Sequence, residues 1–253
     1  MDIPNHAKND VPYLTTDQMI EVDRAMMEDY QIELIQMMEN AGRNLAHLAR
    51  MRFLDGHPAG KRIVVLAGTG GNGGGALVCA RRLNNWGAKV RVYTTQPDDT
   101  FTRVPAHQLD ILHRMLVPVD AAHAVSQITA ADLIVDGIIG YSLSGAPYGT
   151  AADLIRWVND QTVPVLSLDA PSGVDTTSGT VFDPAIRATA TMTLALPKEG
   201  LRTPGVAAIV GELYLADISV PPALYAEPAL QLKVGSIFAQ SDIIRLSYKD
   251  ENP

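Results

Sequence analysis

One cysteine, few aromatic residues and no membrane-length apolar run mark this 253-residue chain. A lone Cys79 cannot form an internal disulfide, and its place on a helix-like stretch reads as a buried structural thiol rather than a nucleophile. No stretch is long and apolar enough for a membrane span, and the opening residues MDIPNHAKND lack an apolar signal core. Positive charge is also scarce. Twenty Lys and Arg face 28 Asp and Glu, a net charge of −8, which argues against nucleic acid or an anionic membrane as partner. A phosphate-bearing ligand would therefore need main-chain amides rather than a basic surface. These absences together fit a reducing cytoplasm.

Glycine is plentiful where it matters. Lys61–Ala67 is a short apolar run, Gly68-Thr69-Gly70-Gly71-Asn72-Gly73-Gly74-Gly75 follows, and Ala76–Leu83 reads as a helix. Glycine permits positive φ and close approach of a ligand to the main chain, and the next helix would open with unpaired N–H groups. Strand, glycine loop and helix together suggest a nucleotide. The GxGxxG spacing alone is weak, because any tight strand–helix turn favours glycine. The second strand ends in Tyr93-Thr94-Thr95-Gln96 with no acidic residue for a ribose, which argues against an ordinary NAD dehydrogenase.

Strands are expected at 62–67, 88–95, 132–136, 164–168, 190–196 and 207–215, and helices near 76–86, 104–116 and 150–160. The strands carry little polar alternation, as in sheets covered on both faces. The expected fold is α/β, a Rossmann-like doubly wound and largely parallel sheet with an N-terminal helical extension. The last strand, Ala207–Ala216, reads as an antiparallel addition. The extension comprises a helix capped by Thr15–Gln18 and a second from Glu33 to Leu54, in which Gly42 implies close packing. Its Met26-Met27 and Met37-Met38 pairs suit either core filling or a subunit interface. The first ten residues read as disordered and the segment after Pro222 as loosely structured, so the expected domain spans 13–221 with a tail at 222–253.

Ligands of open parallel sheets bind beyond the strand carboxyl ends. There the sequence offers Asp136 with the run Gly137–Pro147, and Asp169 with Ala170-Pro171-Ser172-Gly173. Either aspartate could instead cap a turn. Asp175 reads as a turn residue. Lys198 could meet a phosphate or ribose, or be a solvated loop charge. The histidines (His6, His47, His57, His107, His113, His123) fall outside these loops, so no His-based triad or zinc site is expected.

Met38-Glu39-Asn40-Ala41-Gly42, the glycine loop, Asp136–Pro147, Leu166–Gly173 and Leu194–Leu201 together resemble the YjeF N-terminal domain family, the NAD(P)H-hydrate epimerases, over about Tyr13 to Pro221. The resemblance implies an isomerase that interconverts the two epimers of hydrated NADH and NADPH. It implies a potassium ion held by Asn72, Asp136 and Ser172, and oxygen donors suit such a hard cation. It implies contacts to the dinucleotide from Gly71, Asn72, Gly73, Gly74 and Gly75, from Gly140, Tyr141, Ser142, Leu143, Ser144, Gly145 and Ala146, and from Asp169. Asp169 would be the catalytic acid/base. A homodimer is also implied, as is a separate dehydratase acting on the same metabolite, because some thirty residues after Pro222 are too few for that domain. The chain departs from the family's loop at Gly71, Gly75 and Ala76, which removes an amide and a carboxylate. The alternative reading is therefore a degenerate paralogue that binds a nucleotide-like ligand or a protein partner without catalysis.

Overall fold

Short runs rich in Val, Ile and Leu, each too apolar to face water on either side, line up as the middle of one sheet. The computed structural model describes residues 3–121 and 131–247, so His123 lies outside the described residues. The strands are β1 (Asn5–Ala7), β2 (Arg62–Ala67), β3 (Lys89–Thr94), β4 (Val119–Ala121), β5 (Leu133–Gly137), β6 (Val165–Leu168), β7 (Ala190–Leu194), β8 (Glu212–Ala216) and β9 (Ile243–Ser247). Their order across the sheet is β1-β9-β8-β7-β6-β5-β2-β3-β4. All neighbours are parallel except β8 and β9. The chain leaves β2 toward β3 and β4, then returns to add β5 on the other side of β2. This reversal opens a crevice at the carboxyl ends of β2 and β5, where such folds take their ligands.

The helices are α1 (Thr16–Glu28), α2 (Leu34–Phe53), α3 (Gly71–Asn85), α4 (Arg103–Arg114), α5 (Gly149–Asn159) and two single turns, α6 (Ala207–Val210) and α7 (Pro222–Tyr225). Thr15 caps α1 reciprocally. Its hydroxyl accepts from the Gln18 N–H at 3.2 Å while Gln18 Oε1 accepts from the Thr15 N–H at 3.0 Å. The extension packs on its own body. Met19, Val22, Met26, Met37 and Ala41 are buried with Leu196, Ile218, Leu224 and Tyr225 from the far end of the chain. Met26, Met37 and Met38 are thus core, while Met27 is 39% exposed.

Helix α2 meets α3 at Gly42. A Cβ there would lie 2.4 Å from Val78 Cβ and 2.5 Å from the Gly75 carbonyl oxygen. Neither obstacle can rotate away. Gly42→Ala is therefore expected to destabilise the protein by about 2 kcal/mol despite better helix propensity, read as a lower thermal midpoint. Glu39 fastens α2 to α3, accepting twice from Arg81 at 2.5 and 2.6 Å, and to α4, accepting from Gln108 at 3.1 Å.

Several expectations need correction. Helix α3 begins at Gly71, five residues earlier than 76, so Gly73, Gly74 and Gly75 are helical and not loop. Glycine opposes helix by about 1 kcal/mol per residue. Here contact overrides propensity, for a Cβ at Gly73 would sit 1.8 Å from the Gly68 carbonyl oxygen, one at Gly74 2.2 Å from Met38 Sδ, and one at Gly75 2.7 Å from Leu168 Cδ2. Ala207–Val210 is a helical turn, not the start of a strand. Gly211, at φ 66°, ends that turn, and β8 then runs parallel to β7. The first ten residues are not all irregular, since Asn5–Ala7 pair with Arg245–Ser247. The segment after Pro222 likewise contributes β9, antiparallel to β8. Strand pairs that join residues some 240 positions apart leave no local signal. Cys79 is buried, and burial pushes its thiol well above the ordinary range.

Candidate active site

Strand β5 ends in a carboxylate that is fully inside the protein. Asp136 Oδ1 accepts from the Ile138 N–H at 3.2 Å and Ser172 Oγ at 2.6 Å. Its Oδ2 accepts from the Ser172 N–H at 2.9 Å and Ser167 Oγ at 2.8 Å. Burial pushes the carboxyl above the ordinary carboxylate range, opposed by those donors. Ser172 Oγ also accepts from the Ile139 N–H at 2.9 Å. Asp136 and Ser172 thus tie the loops after β5 and β6 together from behind.

Strand β6 ends in the second carboxylate, Asp169, and the backbone there is unusual. Asp169 has φ 65°, the left-handed region that non-glycine residues seldom occupy. This turn aims the side chain across the crevice. Oδ2 accepts from the Tyr141 N–H at 3.0 Å and Oδ1 from Lys198 Nζ at 2.5 Å. Lys198 is 0% exposed, so it is neither a solvated loop charge nor a residue at the ligand surface. Its ammonium also donates to the Leu194 carbonyl at 2.9 Å and Thr193 Oγ1 at 3.3 Å, satisfying all three protons. The segment before α1 covers it, because Leu14 N–H donates to the Pro197 carbonyl and Glu199 N–H to the Leu14 carbonyl.

Between these strand ends and the N-terminal helices lies a cleft of about 540 Å³. Its walls include Met19, Asp23 and Met27 of α1, Met37 and Ala41 of α2, Gly71 and Asn72 of α3, and Gly140, Tyr141, Ser142, Leu168 and Asp169 from the strand ends. A Cβ on Gly140 would stand 3.1 Å from both Asn72 Oδ1 and Asp169 Oδ2, closer than ordinary contact, so a side chain here would press on both. Nδ2 of Asn72 is buried without a partner.

Of the residues expected from sequence, Gly71, Asn72, Gly140, Tyr141, Ser142 and Asp169 line the cleft. Asp136 and Ser172 stand directly behind it, joined through the 138–141 loop. Gly73, Gly74 and Gly75 are buried in α3, where a Cβ would meet Gly68, Met38 and Leu168 in turn, and they are not among the residues that line the cleft. Leu143, Ser144, Gly145 and Ala146 run out along the surface beyond its walls. At position 75 a Cβ would press on Leu168, 2.7 Å from its Cδ2. Position 71 is open, for a Cβ there would meet nothing within 4 Å.

Sequence reasoning missed the roof of the cleft. Asp23 lines it and accepts a short hydrogen bond from the Tyr141 hydroxyl. The signal was present, since Asp23 lies four residues after Met19 and three before Met26, on the apolar stripe of α1. Arg24 also lines the cleft, held by Glu21, Glu28 and Asp29. Asp175 does form a turn, accepting from Thr177 and Ser178 N–H groups at 3.0 and 2.6 Å.

The family profile described as YjeF-related protein N-terminus matches residues 34–200. The chain belongs to that family. It is 42% identical over 239 residues to an NAD(P)H-hydrate epimerase of Dehalogenimonas lykanthroporepellens, covering 94% of each chain. A bifunctional NAD(P)H-hydrate repair enzyme of Moorella thermoacetica is 36% identical over 84% of this chain, which spans 41% of that longer protein. Among solved structures, the yeast protein ynu0 superposes with a TM-score of 0.78 over 93% of this chain and all of its own, at 23% identity. At that identity the likeness concerns the fold alone.

Proposed function

We propose that this protein is an NAD(P)H-hydrate epimerase, an isomerase that interconverts the R and S forms of hydrated NADH and NADPH and so serves nicotinamide nucleotide repair. The observation that carries the reading is Asp169, held in a left-handed turn at the cleft wall by Lys198 and the Tyr141 N–H. The relative that covers 94% of the chain at 42% identity supports the substrate class.

The hydrate bears a hydroxyl on a carbon next to a ring nitrogen. When that C–O bond breaks, its electron pair leaves with oxygen, a proton joins to make water, and the nitrogen lone pair forms an iminium. Water then adds to either face and releases a proton. Asp169 is the group that gives and takes this proton. The first turn of α3, with the open positions Gly70 and Gly71, offers unpaired amides and a positive dipole end to the pyrophosphate. Gly140, Tyr141 and Ser142 border the same space.

The potassium site has an observation in its favour, the buried and unpartnered amide of Asn72. Turning that amide directs its oxygen inward, and such flips preserve shape. Asn72, Asp136 and Ser172 would hold the ion, which would offset pyrophosphate charge in this acidic protein. No helix among the described residues is long and apolar enough to cross a membrane, and a cytoplasmic location accords with the single free thiol. A homodimer is the proposed assembly. A dehydratase acting on the same metabolite is the proposed partner activity, in keeping with the bifunctional relatives.

The test is direct. Purified protein added to one separated epimer should drive it to the equilibrium mixture well ahead of the spontaneous rate, followed by chromatography. No acceleration would overturn the reading and favour a non-catalytic paralogue. Independently of activity, potassium should raise the thermal midpoint relative to choline at equal ionic strength. At ten times its Kd the stabilisation is about 1.4 kcal/mol, and Ser172→Ala should abolish it.

A further inference from the structure

Asp23 comes from α1 and Asp169 from the end of β6, and both line the same cleft. A single residue spans them. The Tyr141 hydroxyl donates to Asp23 while its N–H donates to Asp169 Oδ2 at 3.0 Å. Epimerisation removes a hydroxyl from one face of a flat ring and returns water to the other, so a proton is needed on both faces. Resting on the epimerase reading above, we infer that Asp23 is the second acid/base of the reaction, serving the ring face opposite Asp169.

The balance is closed. Leaving one face, oxygen takes the C–O electron pair and a proton from Asp23, giving water and an iminium. Water then adds on the other face and passes its extra proton to Asp169. The reverse direction uses the same two groups with their roles exchanged, and exchange with solvent restores the starting protonation. No oxidant or reductant is involved.

The surroundings of Asp23 suit a proton donor. Burial raises its carboxyl above the ordinary carboxylate range, the charge of Asp169 adds to this, and the Tyr141 hydrogen bond and Lys198 oppose it. Tyr225 of α7 also senses Asp23, and Arg24 and Glu28 of α1 line the same cleft. With Asp23 as the donor, activity should fall as pH rises and its proton is lost.

Asp23→Asn keeps the size of the side chain and an oxygen for the Tyr141 hydroxyl. It should lower kcat by about 100-fold with little change in KM, and displace the alkaline limb of the kcat profile. Asp23→Glu should recover part of the rate and retain the limb. Tyr141→Phe removes a hydrogen bond that favours the carboxylate, so its alkaline limb should move to higher pH. Equal melting curves would separate these effects from misfolding. An Asp23→Asn protein with wild-type kcat, or one that loses rate with its limb unmoved or only through KM, overturns the inference. Wild-type protein that fails to epimerise overturns the parent reading instead, and this role with it.

Discussion

Asp169→Asn is expected to reduce epimerisation by about 1000-fold, measured as the rate at which one separated epimer approaches equilibrium. Asparagine tolerates the left-handed backbone that Asp169 adopts, so the turn itself should persist. The ion pair does not persist. Lys198 would keep the Leu194 carbonyl and Thr193 hydroxyl but lose its counter-charge in a place without water. Removing one partner of a buried pair costs about 3–5 kcal/mol, so the single variant should also melt earlier. Asp169→Asn combined with Lys198→Met removes both charges and should regain most of that stability without regaining activity. A double variant that epimerises at the wild-type rate would refute the assignment of Asp169.

Asp136→Asn should be the most damaging of the small changes behind the cleft. Each carboxylate oxygen accepts one main-chain N–H, Ile138 on one side and Ser172 on the other. Whichever way the amide turns, its NH2 must face an N–H that cannot rotate. One buried donor is then left unpaired and pressed against another. The expected cost is about 3 kcal/mol, which for a chain of this size lowers the melting midpoint by roughly 6–12 °C. Activity should fall with it, because the loops bearing Tyr141 and Ser172 hang on this carboxylate. A melting curve unchanged by the substitution would show that Asp136 does not organise them.

The site was legible in the sequence wherever a strand ended in a polar residue. Asp136, Asp169 and Ser172 each follow an apolar run, and parallel topology brings such ends to one rim without knowledge of any side chain. Lys198 was not legible. Within Pro197-Lys198-Glu199-Gly200 it has the look of a surface loop, and only the segment around Leu14 folding over it makes it the buried partner of Asp169. Asp23 was missed because a carboxylate on an amphipathic helix ordinarily reads as solvated. The sequence reads Gly73, Gly74 and Gly75 as ligand contacts, and only the structure adds that their lack of side chains lets Gly68, Met38 and Leu168 close on α3.

Local pattern alone therefore settled the parallel α/β architecture, its strand–helix alternation and the aspartates at the strand ends, because periodicity and strand termini are properties of neighbouring residues. The tertiary structure alone decided the outer strands of the sheet, the roof that α1 places over the cleft and the buried partnership of Lys198 with Asp169. Each of those depends on residues from separate parts of the chain meeting in space, and contacts of that kind leave no trace in any short stretch of sequence.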